Sequence, residues 1–133
     1  MRILVIDEEA LVREALQRVL AESATVTTAS DAAAGLTLLR EAACDLVIID
    51  VVLPAVDGIA AIREIRREYP NTRVIAIAGS GNTGLSSYRP EAITTNAYLA
   101  ASSEAGAHGT LAKPFETAEL RKLIGKVCAL PAI

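Results

Sequence analysis

Apolar residues fall along this chain in two alternating rhythms. Short unbroken runs, rich in β-branched residues and leucine, read as strands buried on both faces. The clear ones are Arg2 to Ile6, Leu46 to Ile49 and Val74 to Ala78, with a weaker run at His108 to Ala112. Ala24 to Thr28 is polar enough to lie at a sheet edge. Between these runs the apolar positions recur at helical spacing, and that periodicity predicts helices over 9–21, 31–42, 58–69, 93–105 and 117–128. The first turns Val12, Ala15, Leu16, Val19 and Leu20 inward, the second Ala32, Leu36 and Leu39, the third Ile59, Ile62 and Ile65, and the last Leu120, Leu123, Ile124 and Val127. Ser30 or Asp31 can cap the second helix. Tyr69-Pro70-Asn71 stops the third, and Gly106 suits the end of the fourth.

A strand-helix alternation repeated five times calls for an α/β fold, a doubly wound (βα)5 parallel sheet with helices on both faces. Right-handed crossovers leave few topologies, and the flavodoxin-like order 2-1-3-4-5 sets the first strand beside the third. In such sheets chemistry gathers beyond the carboxyl ends of the strands. The stretch 45–58, DLVIIDVVLPAVDG, places Asp50 at that edge, and the first strand ends in Asp7-Glu8-Glu9. The predicted order therefore brings Asp7, Glu8 and Asp50 to one crevice.

Composition narrows the class. With 133 residues, the chain is expected to form one domain over 1–133, burying about 65–70% of its unfolded surface without metals or disulfides. An apolar fraction of 52% with one Phe, three Tyr and no Trp makes the core aliphatic. A net charge of −3 without a long basic run argues against direct nucleic-acid binding. Cys44 and Cys128 have no metal-ligand spacing and read as buried thiols. No run reaches membrane-spanning length and the first residues enter a strand directly, so a soluble, cytoplasmic protein is expected, with no membrane partner.

Three carboxylates in one crevice repel one another and need a positive partner. Oxygen ligands favour a hard divalent ion, with Mg²⁺ the best fit and Mn²⁺ admitted by the same donors. His108 stands alone on its strand and reads as a packing or surface residue. Lys113, at the end of the fifth strand, can reach the same crevice. Carboxylate, metal and lysine together suit phosphoryl transfer to Asp50 as nucleophile. No GxxxxGK[ST] cradle is present, which argues against nucleotide hydrolysis or kinase activity.

These pieces together make the chain similar to the receiver domains of two-component response regulators, over essentially its whole length. The motifs are ILVIDEE with Asp7 and Glu8, DLVIIDVVLPAVDG with Asp50, Pro54, Asp57 and Gly58, EAGAHG, and LAKPF with Lys113 and Pro114. The resemblance implies a phosphoacceptor at Asp50, loaded from a phosphohistidine of a sensor histidine kinase or histidine phosphotransfer protein, then lost by slow self-catalysed hydrolysis. It also implies metal ligation by Asp50 and Glu8, by Asp7 directly or through water, and by the backbone carbonyl of Val52. A cis Lys113-Pro114 bond is expected on the same ground.

Glu8 is one methylene longer than the aspartate more usual in the family, and two further positions depart from its pattern. Ala78 stands where a Thr or Ser hydroxyl usually binds the phosphoryl group, with Ser80 a candidate replacement. Thr110 stands where the family carries an aromatic switch residue. Residues 79–92 form a stretch longer than in ordinary receivers by roughly ten residues or more, with Tyr88 and Arg89 as its candidate anchors. The competing expectation is thus a degenerate receiver that serves as a protein-interaction module without regulated phosphorylation. Enzymatic turnover of an external phosphate ester is a weaker third, because no second general base can be named. The Ala- and Ser-rich fourth helix (Ala97, Ala100, Ala101, Ser102, Ser103) also admits a homodimer.

Overall fold

The aliphatic runs assemble into one five-stranded parallel sheet of order β2-β1-β3-β4-β5. The computed structural model describes residues 1–52, 58–79 and 91–130. In chain order the elements are β1 (Arg2–Ile6), α1 (Ala10–Leu20), β2 (Thr25–Ala29), α2 (Ala32–Glu41), β3 (Leu46–Asp50), α3 (Gly58–Glu68), β4 (Arg73–Ala78), α4 (Glu91–Ala105), β5 (Gly109–Ala112) and α5 (Thr117–Cys128). The expected doubly wound α/β fold is the observed one, with β3 and β4 central and β2 at an edge.

Period-2 alternation divides the strand side chains between two cores. Leu4, Ile6, Val47, Ile49, Val74 and Ala76 face α2, α3 and α4, where Leu39, Ile59, Ile62 and Ile65 meet them. Ile3, Val5, Leu46, Ile48, Ile75 and Ile77 face α1 and α5, against Leu16, Leu20, Leu120 and Val127. Burying each of these branched side chains contributes roughly 1.5–3 kcal/mol, so the sheet holds its register and its carboxyl edge rigidly. Asp31 caps α2 by accepting from the Ala34 amide at 2.8 Å. Glu116 and Glu119 close a capping box on α5.

The differences from expectation are small and local. β2 lies one residue later than its weak pattern indicates, Thr25–Ala29. Ala15 is exposed rather than inward, because the buried stripe of α1 narrows to Leu16 and Leu20. His108 precedes β5 instead of opening it, yet stays tied to β4: its N–H donates to Val74 O at 2.8 Å and its Nδ1 accepts from Val74 N at 3.0 Å. Burial, then Arg66 and Arg73, lower its pKa and favour the neutral ring that this bond requires. His108 is thus a packing residue, as expected. Cys44 and Cys128 are free thiols, pushed up in pKa chiefly by burial. Among the described residues no helix is long and apolar enough to cross a membrane.

Candidate functional site

At the carboxyl edge, β1 and β3 stop in the same way. Asp7 directly follows β1 and Asp50 closes β3, and the Oδ1 of each accepts the amide two residues on, Glu9 N to Asp7 at 2.9 Å and Val52 N to Asp50 at 2.9 Å. This short side-chain turn takes the chain out of the sheet. In both cases it leaves Oδ2 facing the crevice. Arg13 tightens the first turn, its NH1 donating to the carbonyls of Asp7 at 2.7 Å and Glu8 at 3.0 Å.

Lys113 enters from the end of β5, where its N–H donates to Ala78 O at 2.8 Å. Gly79 makes that approach possible, since a Cβ there would lie 2.6 Å from Lys113 Cβ. The Lys113-Pro114 bond is cis. Lys113 Nζ sits among three carboxylates, 2.9 Å from Asp7 Oδ2, 3.0 Å from Asp50 Oδ2 and 3.0 Å from Glu9 Oε1.

The acidic group differs from the predicted one in one member. Oxygens of Asp7, Glu9 and Asp50 lie within 4.8 Å of one another, while Glu8 is exposed and outside this group. The cause is alternation carried past the end of β1. Glu9 is still extended (φ −81°, ψ 114°), so residues 7 and 9 share a side and residue 8 turns outward. The signal for Glu9 is therefore present in its offset of two from Asp7.

Burial sets the electrostatics. Asp50 is 3% exposed, and desolvation raises its carboxyl pKa to about 6 despite Lys113 and the Val52 amide, with the Asp7 charge adding to the rise. Burial alone would lower the Lys113 pKa, but Asp50 and Asp7 outweigh it and hold the ammonium above its ordinary value. Asp7 is fully buried, and its Oδ2, though close to Nζ, makes no hydrogen bond. A buried carboxylate oxygen that is ion-paired but takes no hydrogen bond, within an all-oxygen donor set, fits a hard divalent cation.

Ala78 is fully buried and brings no hydroxyl to this edge, and Thr110 is half-buried on β5. Gly58 opens α3 against β3, with room for no Cβ: one would lie 2.5 Å from Val51 Cα. Pro54, Asp57, Ser80, Tyr88 and Arg89 lie outside the described residues, as does most of 79–92. A groove of about 450 Å³ flanks the crevice between α1 and the start of α5, lined by Leu11, Val12, Ala15 and Phe115 with Glu9 and Lys113 at its rim.

The family model of the response regulator receiver domain matches residues 3–125. The chain belongs to that family. The chemotaxis protein CheY of Bacillus subtilis is 26% identical over 94% of this chain and 95% of its own length. The DNA-binding transcriptional regulator NtrC of Bradyrhizobium is 31% identical over 97% of this chain, which covers 24% of that regulator. The crystal structure of the receiver domain of NtrX from Brucella abortus superposes with a TM-score of 0.80 at 26% identity, covering 97% of this chain and 99% of that domain. Several curated relatives are much longer, and the chain spans 37% or less of their length.

Proposed function

We propose that this receiver domain, read as one unit over 1–133, accepts a phosphoryl group on Asp50 from a phosphohistidine of a sensor histidine kinase or histidine phosphotransfer protein. The observation that carries the reading is the buried Lys113 ammonium, held within 3.0 Å of both Asp7 and Asp50 at the carboxyl edge of the sheet. An Asp50 oxygen forms the new O–P bond while the P–N bond of the donor breaks and its electron pair returns to the imidazole. Lys113 supplies fixed positive charge where the transferred oxygens arrive. The apolar groove beside the crevice offers the donor protein a surface that ends at Lys113.

Asp7, Asp50 and Glu8, with the Val52 carbonyl, would hold Mg²⁺ or Mn²⁺. Bound there, the ion would screen the charge between Asp50 and the incoming phosphoryl oxygens. The Glu8 carboxylate suits this role because, among the described residues, no hydrogen bond or ion pair engages it, and its added methylene lets it turn inward. Ser80 is the candidate for the hydroxyl that Ala78 lacks. The same mechanism accounts for slow loss of the group to water, a self-catalysed step with no external turnover substrate.

Ala78 and Thr110 favour a second reading, an interaction module without regulated phosphorylation. One experiment separates the two. With Mg²⁺ and a small acyl phosphate donor, intact-mass measurement is expected to show one added phosphoryl group on the wild type and none on Asp50→Asn. A wild type that takes no label supports the module, and a fully labelled variant moves the acceptor elsewhere.

A further inference from the structure

Three carboxylate oxygens stand within 3.0 Å of Lys113 Nζ. Two of them, on Glu9 and Asp50, accept its hydrogen bonds, while Asp7 Oδ2 is held by charge alone. A phosphoryl group arriving on Asp50 adds a further anion to the competition for this one ammonium, so the contact that costs least to give up yields first. The three partners are not equal in what release costs. The side chains of Asp7, Asp50 and Glu9 are 0%, 5% and 22% exposed. A buried carboxylate stripped of its counter-charge is left uncompensated in a place water does not reach. One that reaches water rehydrates, and pairs that water reaches contribute little.

Among the described residues, Glu9 is also the partner whose side chain bonds nothing but Lys113. It is the residue before α1, yet its side chain makes no capping hydrogen bond, and its contact is to Lys113. We propose that Glu9 is a positioning residue that holds Lys113 over Asp50 while the crevice is empty and yields it to the phosphoryl group. The proposal rests on the reading of Asp50 as phosphoacceptor. It divides the two neighbouring glutamates by role, Glu8 toward the metal ion and Glu9 toward the lysine. Glu9 then opposes phosphoryl capture twice, by occupying a Lys113 donor and by repelling an anionic donor molecule.

The test compares wild type, Glu9→Gln and Glu8→Gln. Three quantities are measured: Mg²⁺ affinity by calorimetry, the rate of labelling by a small acyl phosphate, and the ¹⁵N signal of the Lys113 ammonium. Glu9→Gln is expected to keep its Mg²⁺ affinity within about twofold and to gain about twofold to fivefold in labelling rate, the scale of one partly exposed charge pair. Its Lys113 signal shifts before any donor is added. In wild type, beryllofluoride as a phosphoryl mimic moves that signal further than it does in Glu9→Gln, because only the wild type has a Glu9 contact to lose. Glu8→Gln is expected to lose Mg²⁺ affinity and to leave the Lys113 signal in place.

A Glu9→Gln protein that loses Mg²⁺ affinity as Glu8→Gln does makes Glu9 a metal ligand and overturns the proposal. Unchanged or slower labelling, with an unmoved Lys113 signal, also overturns it. Glu9→Asp, which keeps the charge but is one methylene too short for the present contact, guards against a folding defect in the first variant. It is expected to shift the Lys113 signal as Glu9→Gln does, and an unmoved signal in both counts against the contact. A wild type that takes no label on Asp50 overturns the release step together with the reading beneath it. The Lys113 signal in metal-free protein still reports whether the Glu9 contact exists, so the two failures are told apart.

Discussion

The two ends of this sheet treat polar side chains in opposite ways. At the amino end the side chains turn to the main chain. Thr72 Oγ1 donates to Cys44 O at 2.7 Å, Asp45 Oδ2 accepts from Arg2 N at 2.8 Å, and Arg73 NH2 donates to Leu130 O at 2.7 Å. His108 Nδ1 takes the Val74 amide in the same manner. The loose ends there are Nε of Arg66 and Nε2 of His108, both buried without a hydrogen-bond partner. At the carboxyl end, three carboxylates share one ammonium, Asp7 Oδ2 makes no hydrogen bond, and Asp50 is raised toward neutrality. One end ties its side chains mostly to the main chain, and the other sets charges against one another. Stability is drawn from the first, and readiness for an incoming cation and anion from the second.

The largest effect is expected from removing the ammonium that three carboxylates share at the opposed end. Lys113→Met leaves two carboxylates at most 5% exposed without their counter-charge, and loss of one partner from a buried pair costs about 3–5 kcal/mol. Urea unfolding in metal-free buffer at neutral pH measures it. A loss below about 1 kcal/mol would mean that water, not Lys113, compensates Asp7 and Asp50, and the contrast between the ends would disappear.

Neutralising a carboxylate at the same end is expected to do the reverse. The Asp50 pKa rises from 3.8 to about 6, so the folded protein binds the proton more tightly than the unfolded chain does. The contribution of Asp50 to stability is then fully present below about pH 4 and is lost as pH climbs to about 6. A rise of that size corresponds to about 3 kcal/mol. Asp50→Asn should therefore be more stable than wild type at pH 7 without metal, by about 2 kcal/mol after the lost Lys113 contact is discounted. The two should converge near pH 4. Stability of wild type that stays level or rises between pH 4 and 6, relative to the variant, would contradict the sign.

Much of this contrast is legible in the residues. Short unbroken runs of β-branched residues and leucine, bounded by polar and turn residues, read as buried strands, which locates β1, β3 and β4 and hence the edge where Asp7, Asp50 and Lys113 meet. Alternation of strand and helix leaves the order of the sheet with few choices. What pattern cannot show is the direction of side chains beyond a strand end. Glu8 and Glu9 are chemically alike and adjacent in sequence, and only the extended turn at Asp7 sends Glu9 inward. The start of β5 is obscured for a related reason, since the His108 ring supplies a bond that a backbone carbonyl would otherwise supply. The pattern sets β2 one residue early because its threonines carry little apolar signal.

The smallest effect belongs to the satisfied end. Thr72 is 2% exposed, and its hydroxyl bonds the Cys44 carbonyl across 28 residues of chain, joining the start of β4 to the loop before β3. Valine matches its volume and replaces the hydroxyl with a methyl, so Thr72→Val isolates the hydrogen bond. The buried Cys44 carbonyl then loses this donor, at about 1–2 kcal/mol. Because no titrating group takes part, the loss should be equal at pH 5 and pH 8 and indifferent to Mg²⁺, unlike every change made around Lys113. Denaturant midpoints in those four conditions check it. A Thr72→Val penalty that follows pH or Mg²⁺ would show that the two ends of the sheet are energetically coupled, and their division of labour would have to be abandoned.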